Sequence, residues 1–259
     1  MSDRPGINVR PSSKLGGIIY LRAPSPPSAE IIREQISGLW NVSSSVKQLQ
    51  SPDLLEVSFD ERSFVIEFTR QQVPASLTQH VASGSSHWPE AGSALLRHKA
   101  YLSIATALGR HVGLDLAVDF TRLLIGCARV TDSVGVCWLN GPVLHSAEEF
   151  IAIGTEMLRL KLLPIPLWIS AHWHRGEAII LSSGMQQFGM PEIQIPQKAA
   201  PTTDSIEYLF ELADCLLSKS LIIRVNETID GPQGIFRAHF GPNIVNGRHT
   251  LIFETLTPN

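Results

Sequence analysis

Apolar residues in this chain recur with two periods, and the changes between them mark the elements. Gly16 to Leu21 is a continuous apolar run that predicts a strand, and the proline-rich stretch Pro24 to Pro27 turns the chain out of it. Ser28 is placed to cap a helix reaching Trp40, with Ile32, Ile36 and Leu39 on one face. The serine-rich stretch from Ser43 to Ser51 breaks the pattern and reads as a loop. Leu55, Val57 and Phe59 then alternate with polar residues, as do Phe64, Ile66 and Phe68, and Asp60 to Ser63 supplies a turn. That is a hairpin with one buried face.

Pro74 to Ser93 carries no clear period and reads as a long Ser- and Gly-rich loop; Tyr101 to Thr106 reads as a strand. Leu116, Phe120, Leu123 and Cys127 fall at helical spacing, which predicts a helix over Asp115 to Val130. A strand over Val134 to Leu139 ends at Asn140-Gly141-Pro142. Ser146 followed by Glu149 is a capping-box pattern for a helix running to Leu162. Ile165 to Trp173 and Glu177 to Ser182 suit a hairpin across Arg175-Gly176, and Glu192 to Ile195 a short strand stopped by Pro196. Asp204 and Glu207 suit the start of a helix whose apolar face holds Ile206, Leu209, Phe210, Ala213, Leu216 and Leu217. Leu221 to Val225, Ile235 to Phe240 and Thr250 to Leu256 are expected as closing strands.

Strands thus come in hairpins as well as in helix-separated units. The expected fold class is α+β, a mixed, largely antiparallel sheet with about four helices packed against it. A single domain over 15–259 is expected behind a flexible N-terminal segment, 1–14.

Composition narrows the function. With 44% hydrophobic and 17% charged residues the chain can bury a sizeable core. Its 21 Lys and Arg are scattered and the net charge is -3, so the basic stripe that a nucleic-acid binder needs is missing. No apolar run approaches the ~20 residues that span a bilayer, and the N-terminus lacks a signal core. The expected location is the cytoplasm, with neither a nucleic acid nor a membrane as partner. Cys127, Cys137 and Cys215 lie in apolar runs without metal-ligand spacing, so all three read as buried, reduced thiols.

Phosphate loops, dinucleotide turns, H-E-x-x-H, deaminase and EF-hand patterns and the G-x-S-x-G elbow are all absent. No cofactor, metal or catalytic residue is therefore expected. Ser44 and Lys47 match S-x-x-K, but within a serine-rich stretch and without companion motifs. The most suggestive cluster is Trp168-Ile-Ser-Ala-His172-Trp173-His174, where a strand would put Trp168, Ser170, His172 and His174 on one face. His172 and His174 could offer two imidazoles to one ion, with Glu177 or Glu192 as a carboxylate, although two histidines beside an Arg-Gly turn also suit a solvated edge. Trp88, in His87-Trp88-Pro89, suits either a recognition loop or an anchor pinning that loop to the core. The candidate binding residues are accordingly Trp88, Trp168, His172, His174 and Glu192.

Leu163-Pro164 through Leu167-Trp168, then Ser183-Gly184-Met185, Phe188-Gly189 and Glu192-Ile193, resemble the bacterial family known as domain of unknown function 4261. The segment His98 to Val136 is similar to its middle region, and Thr228 to Gly234 to a late aspartate-glycine segment whose residue order differs here. The resemblance extends from about Leu15 to Leu256. It implies a stand-alone bacterial cytosolic protein and brings no catalytic residues.

Two functions of different class follow. The first is a non-enzymatic binding protein with another protein as partner, most concretely an immunity protein that neutralises a toxin by occlusion. The second is an enzyme with dispersed catalytic residues, such as a hydrolase using His172 or His174 as base.

Overall fold

The computed structural model describes residues 12–59, 62–85, 87–106, 112–197, 200–218, 223–232 and 234–256. By its internal contacts the chain divides into two compact units, one of them Ser13–Trp168 and the other Ile169–Asn259 with the N-terminal residues through Ser12.

The first unit is built on a seven-stranded, wholly antiparallel sheet. Its elements are β1 (Gly16–Leu21), α1 (Ala29–Trp40), β2 (Ser44–Gln48), β3 (Leu54–Phe59), β4 (Arg62–Thr69), α2 (Ala75–Ser83), α3 (Ala91–Leu95), β5 (Ala100–Thr106), α4 (Leu114–Arg129), β6 (Ser133–Trp138), β7 (Val143–Ser146), α5 (Ala147–Arg159) and the single turn α6 (Ile165–Trp168). The strand order is β2-β3-β4-β5-β1-β6-β7, with β7 at one edge. Ile19 of β1 faces Leu102 of β5 on one side and Val136 of β6 on the other. Five of the six residues of β1 are buried, which is why this strand reads as a continuous apolar run rather than an alternating one.

One face of the sheet is covered by α1, α4 and α5. Ile32 and Ile36 of α1 are buried, as are Phe120, Leu123 and Leu124 of α4 and Phe150 of α5. Gly154 of α5 lets that helix approach α4, since a Cβ there would lie 2.6 Å from Ile125. A chain of rings runs through this layer: Phe64 to Phe120 at 6.0 Å, Phe120 to Trp138 at 5.1 Å, and Trp138 to Trp168 at 5.9 Å between centroids. A second, smaller cluster contains Ile18, Tyr20, Val73, Val81, Leu95, Cys137 and Leu144, with Leu77 and Trp88 packed on it.

The second unit holds β8 (Ser170–His174), β9 (Ile179–Ser183), a 3-10 turn (Met185–Phe188), β10 (Glu192–Pro196), α7 (Thr203–Leu217), β11 (Thr228–Gly231), β12 (Gly234–Pro242) and β13 (His249–Thr255). Its six strands lie in the order β11-β12-β13-β10-β9-β8. The β10–β13 pair is parallel and the others antiparallel. Thr202 caps α7, accepting from the Ser205 N–H, and the buried face of the helix presents Leu209, Leu212, Ala213, Leu216 and Leu217.

The α+β class is as expected, but the strands form two sheets rather than one, and the described residues contain seven α-helices rather than about four. The differences have local causes. Ser44–Gln48 is an edge strand, held to β3 by backbone pairing in the register Val46 to Val57, so its serines need no apolar alternation. Pro74 opens α2, where Leu77 and Val81 supply too short an apolar stripe to show a period. Ile165–Trp168 is a helical turn, not the start of a strand. The Leu167 N–H donates to the Pro164 carbonyl at 2.9 Å, and the two prolines suit a first helical turn, where their missing N–H groups cost nothing. Asp60 and Glu61, in the expected hairpin turn, and Leu221 and Ile222, in an expected strand, lie outside the described residues. No helix of the described residues is long and apolar enough to cross a membrane.

Two outcomes follow from this packing. Trp168 is fully buried and its indole N–H donates to Thr121 Oγ1 at 2.8 Å. Trp168→Ala should therefore cost about 3–5 kcal/mol of unfolding free energy, measured by denaturant titration. Among the thiols, Cys127 and Cys137 are buried and burial pushes both to about 12, whereas Cys215 is partly exposed, contrary to the expectation for all three. In native protein a thiol reagent should label Cys215 first, and peptide mass spectrometry should find the other two modified only after unfolding.

Candidate metal centre

β7 is four residues long and runs directly into α5, so its last residues serve both elements. Ser146 is the N-cap of α5, its Oγ accepting from the Glu149 N–H at 3.2 Å, as the capping-box spacing predicts. In a complete capping box the N3 carboxylate returns to the N-cap backbone N–H. Here a carboxylate oxygen of Glu149 lies 3.3 Å from Nδ1 of His145, the residue before the cap.

His145 is 4% exposed. Its Nε2 lies 3.1 Å from the carbonyl oxygen of Pro166 in α6. A carbonyl only accepts, so Nε2 carries the hydrogen and, in the neutral ring, Nδ1 carries a lone pair. That Nδ1 is buried and faces the Glu149 carboxylate at 3.3 Å, outside the geometry of a regular hydrogen bond. The Glu149 side chain, 38% exposed, closes this side of the ring.

His87 completes the cluster from the connection between α2 and α3. Its Nε2 donates to the carbonyl of Leu144 on β7 at 2.9 Å, which leaves its own Nδ1 lone pair available. The rings of His87 and His145 lie 4.3 Å apart between centroids, tilted by 40°. Position 135, on the neighbouring strand β6, is glycine where the Trp88 ring packs close to the backbone of His145. A Cβ there would lie 3.1 Å from both the His145 carbonyl and the ring of Trp88.

His87, His145 and Glu149 each offer one ligand atom, and these atoms all lie within 4.8 Å of one another. They are the one such group of three among the described residues. The electrostatics suit a cation. Burial, and then the neighbouring His145, hold the His87 imidazole below its usual range, against the opposing pull of Glu149 and the Leu144 carbonyl. Glu149 is held below the usual glutamate range, chiefly by the hydrogen-bonding approach of the His145 ring and against its own partial burial. At neutral pH His87 is therefore a neutral donor and Glu149 an anionic one.

The residues singled out in the sequence do not converge on one site. Trp168 is in the core at the end of α6, not on a strand face with His172, because the strand begins only at Ser170. Trp88 packs on the smaller core cluster, which is the anchor reading of that loop rather than the recognition reading. His172 and His174 do lie on β8, and His172 Nε2 is 2.7 Å from Ser170 Oγ, as expected for residues that share a face. Ser170 is only 8% exposed, which leaves this pair as a contact along the strand. Ser44 and Lys47 sit on the extended β2 and not on a helical turn.

Glu192 is buried and saturated. Its carboxylate accepts from Ser182 Oγ at 2.6 Å and from the backbone N–H groups of Gly184, Met185 and Gln186 at 3.0, 3.2 and 3.3 Å, capping the 3-10 turn. It has no capacity left for an ion shared with His172 and His174, and neither histidine belongs to a three-donor group among the described residues. Burial raises its carboxyl above the usual range, and the four hydrogen bonds pull back only part of the way.

No known protein family matches the chain, and no curated protein or solved structure is measurably similar to it.

Removing the Glu192 carboxylate strands four donors in a buried turn. Glu192→Ala should lower stability by about 3 kcal/mol or more in chemical denaturation. A loss below about 1 kcal/mol would show that water reaches the turn and replaces the carboxylate.

Proposed function

We propose that this chain is a metal-binding protein that holds one divalent transition-metal ion, zinc by preference, on Nδ1 of His87, Nδ1 of His145 and the carboxylate of Glu149. The observation that carries the reading is the convergence of three donor groups within 4.8 Å, with the buried Nδ1 of His145 facing a Glu149 carboxylate oxygen at 3.3 Å. An ion between the three groups would be held by all three at once. Zinc bonds of ~2.0–2.2 Å place tetrahedral donors about 3.3–3.6 Å apart, so donors within 4.8 Å of one another would close inward by at most about 1.2–1.5 Å.

The donor set selects the class of ion. Two imidazoles and one carboxylate suit zinc and its neighbours, whereas magnesium and calcium want oxygen on all sides. Each imidazole also donates its other N–H to a backbone carbonyl, Leu144 for His87 and Pro166 for His145. That second contact fixes the tautomer and aims the free nitrogen, as is usual for metal-bound histidine. The toxin-occlusion reading has no comparable support, since neither Trp88 nor Trp168 presents an exposed anchor. The family resemblance is carried by its quoted motifs alone and names no ligand.

Protein freed of metal by a chelator and titrated calorimetrically with zinc should bind one equivalent. His145→Ala and Glu149→Gln should each weaken that binding at least ~100-fold, because even outer-shell changes cost ~10–100-fold. Circular dichroism of both variants should first confirm that they are folded. Wild-type protein that takes up no zinc, or folded variants that bind as tightly as wild type, would overturn the proposal.

A further inference from the structure

The same three residues say what form a bound ion would take, and this step rests on the metal reading above. A structural zinc site is closed by four protein donors, whereas a catalytic or ligand-binding one keeps three and leaves a position for water or substrate. The described residues bring together three donors and no fourth His, Cys, Asp or Glu.

The direction of the missing position follows from burial. His145 lies at the back, its side chain 5% exposed, while the Glu149 side chain is 38% exposed and His87 is exposed. An ion held here would have the buried His145 behind it and solvent on the side of His87 and Glu149. The two backbone carbonyls hold the rings in place, so the protein is not free to swing another donor in from either imidazole.

Charge then selects what fills that position. Two neutral imidazoles and one carboxylate leave a divalent ion with one uncompensated positive charge. A neutral ligand leaves that charge standing in a partly desolvated site, whereas a monoanion cancels it. Oxygen donors suit an ion of this class, and the exposed approach sets no narrow size limit. We infer that the ion keeps one coordination position open to solvent, and that this position accepts a small monoanionic oxygen-donor ligand of the carboxylate or hydroxamate class. In its absence water takes the place, and zinc-bound water ionises near neutral pH in such sites.

Cobalt(II) substitution tests this directly, because the visible bands of cobalt report its coordination. Wild-type protein loaded with one equivalent of cobalt is titrated with acetohydroxamate, and metal-free protein is titrated in parallel. The expected result is a saturable change in the cobalt bands with one hydroxamate per ion, and no binding to the metal-free protein. Cobalt bands that form normally and then ignore acetohydroxamate at millimolar concentration would overturn the open position while leaving the metal site standing. Failure to form cobalt bands at all would sink both readings. Hydroxamate binding to the metal-free protein would show that the ligand is held by something other than the ion, which also overturns the inference.

Discussion

The burial of Trp168 is the constraint on which the rest of the first unit depends. Its indole ends the line of rings that begins at Phe64, passes Phe120 of α4 and Trp138 of β6, and closes with a hydrogen bond to Thr121. That line joins β4, α4, β6 and α6 in one packed layer. It also fixes α6 against the edge of the sheet, because Leu167 and Trp168 cannot move without opening the core. The carbonyl of Pro166 is therefore held at a defined place, and that carbonyl determines which nitrogen of His145 carries the hydrogen. A hydrophobic contact sets a tautomer, and the tautomer sets the chemistry of the edge.

The contrast with His98 shows what is unusual about His145. Both are buried histidines of the first unit, at 3% and 4% exposure. His98 is complete: its Nδ1 donates to the Leu95 carbonyl and its Nε2 accepts from the Val73 N–H at 2.7 Å. One nitrogen gives, the other receives, and the ring locks the start of α2 to the end of α3. His145 has the donating half of that arrangement and lacks the receiving half. Asp119 makes the same point for carboxylates. It is buried but paired with both Arg62 and Arg122, and it needs nothing further. His98 and Asp119 hold the fold with their hydrogen bonds complete, whereas His145 is one of several buried groups without a regular partner.

Much of the fold was legible because its signals are local. The strand at β1, the β3–β4 hairpin, the helix α4 with Leu116, Phe120, Leu123 and Cys127 inward, and the Ser146 cap of α5 are each written in a few neighbouring residues. Pairing that depends on partners far along the chain was not legible. β2 has one apolar residue at its centre and is a strand only because β3 offers it an edge. Likewise, nothing near Ile169 in the sequence announces that the strands after it pair in a separate sheet. The Trp168 cluster misled for a sharper reason. An apolar run holding two prolines fits a strand end and a first helical turn equally well, and packing against Trp138 decides between them.

The cluster of His87, His145 and Glu149 was not legible in the sequence, on the same principle. Its three residues fall 58 and 4 positions apart, and His87 sits in a stretch whose helices were themselves unreadable. The one signal available was His145 and Glu149 at a spacing of four across a predicted cap. On a helix that spacing implies a shared face, but His145 precedes the cap, where the face rule gives no direction. What made His172 and His174 more conspicuous was adjacency, and adjacency is weak grounds for a site. A strand places alternate residues on one face whether or not anything binds there, so the pair carries no information beyond its secondary structure. Residues brought together from three elements, each held by a contact the others do not share, cannot be put down to local geometry. By that standard Glu149 and Glu192 separate cleanly, although both are glutamates at a turn start. Glu192 is ringed by four donors and completes a 3-10 turn. Glu149 faces a nitrogen of a buried imidazole at 3.3 Å, an arrangement that a proton or a cation between them makes favourable. A proton would serve the His145–Glu149 pair alone, and the third donor at His87 is what the cation adds.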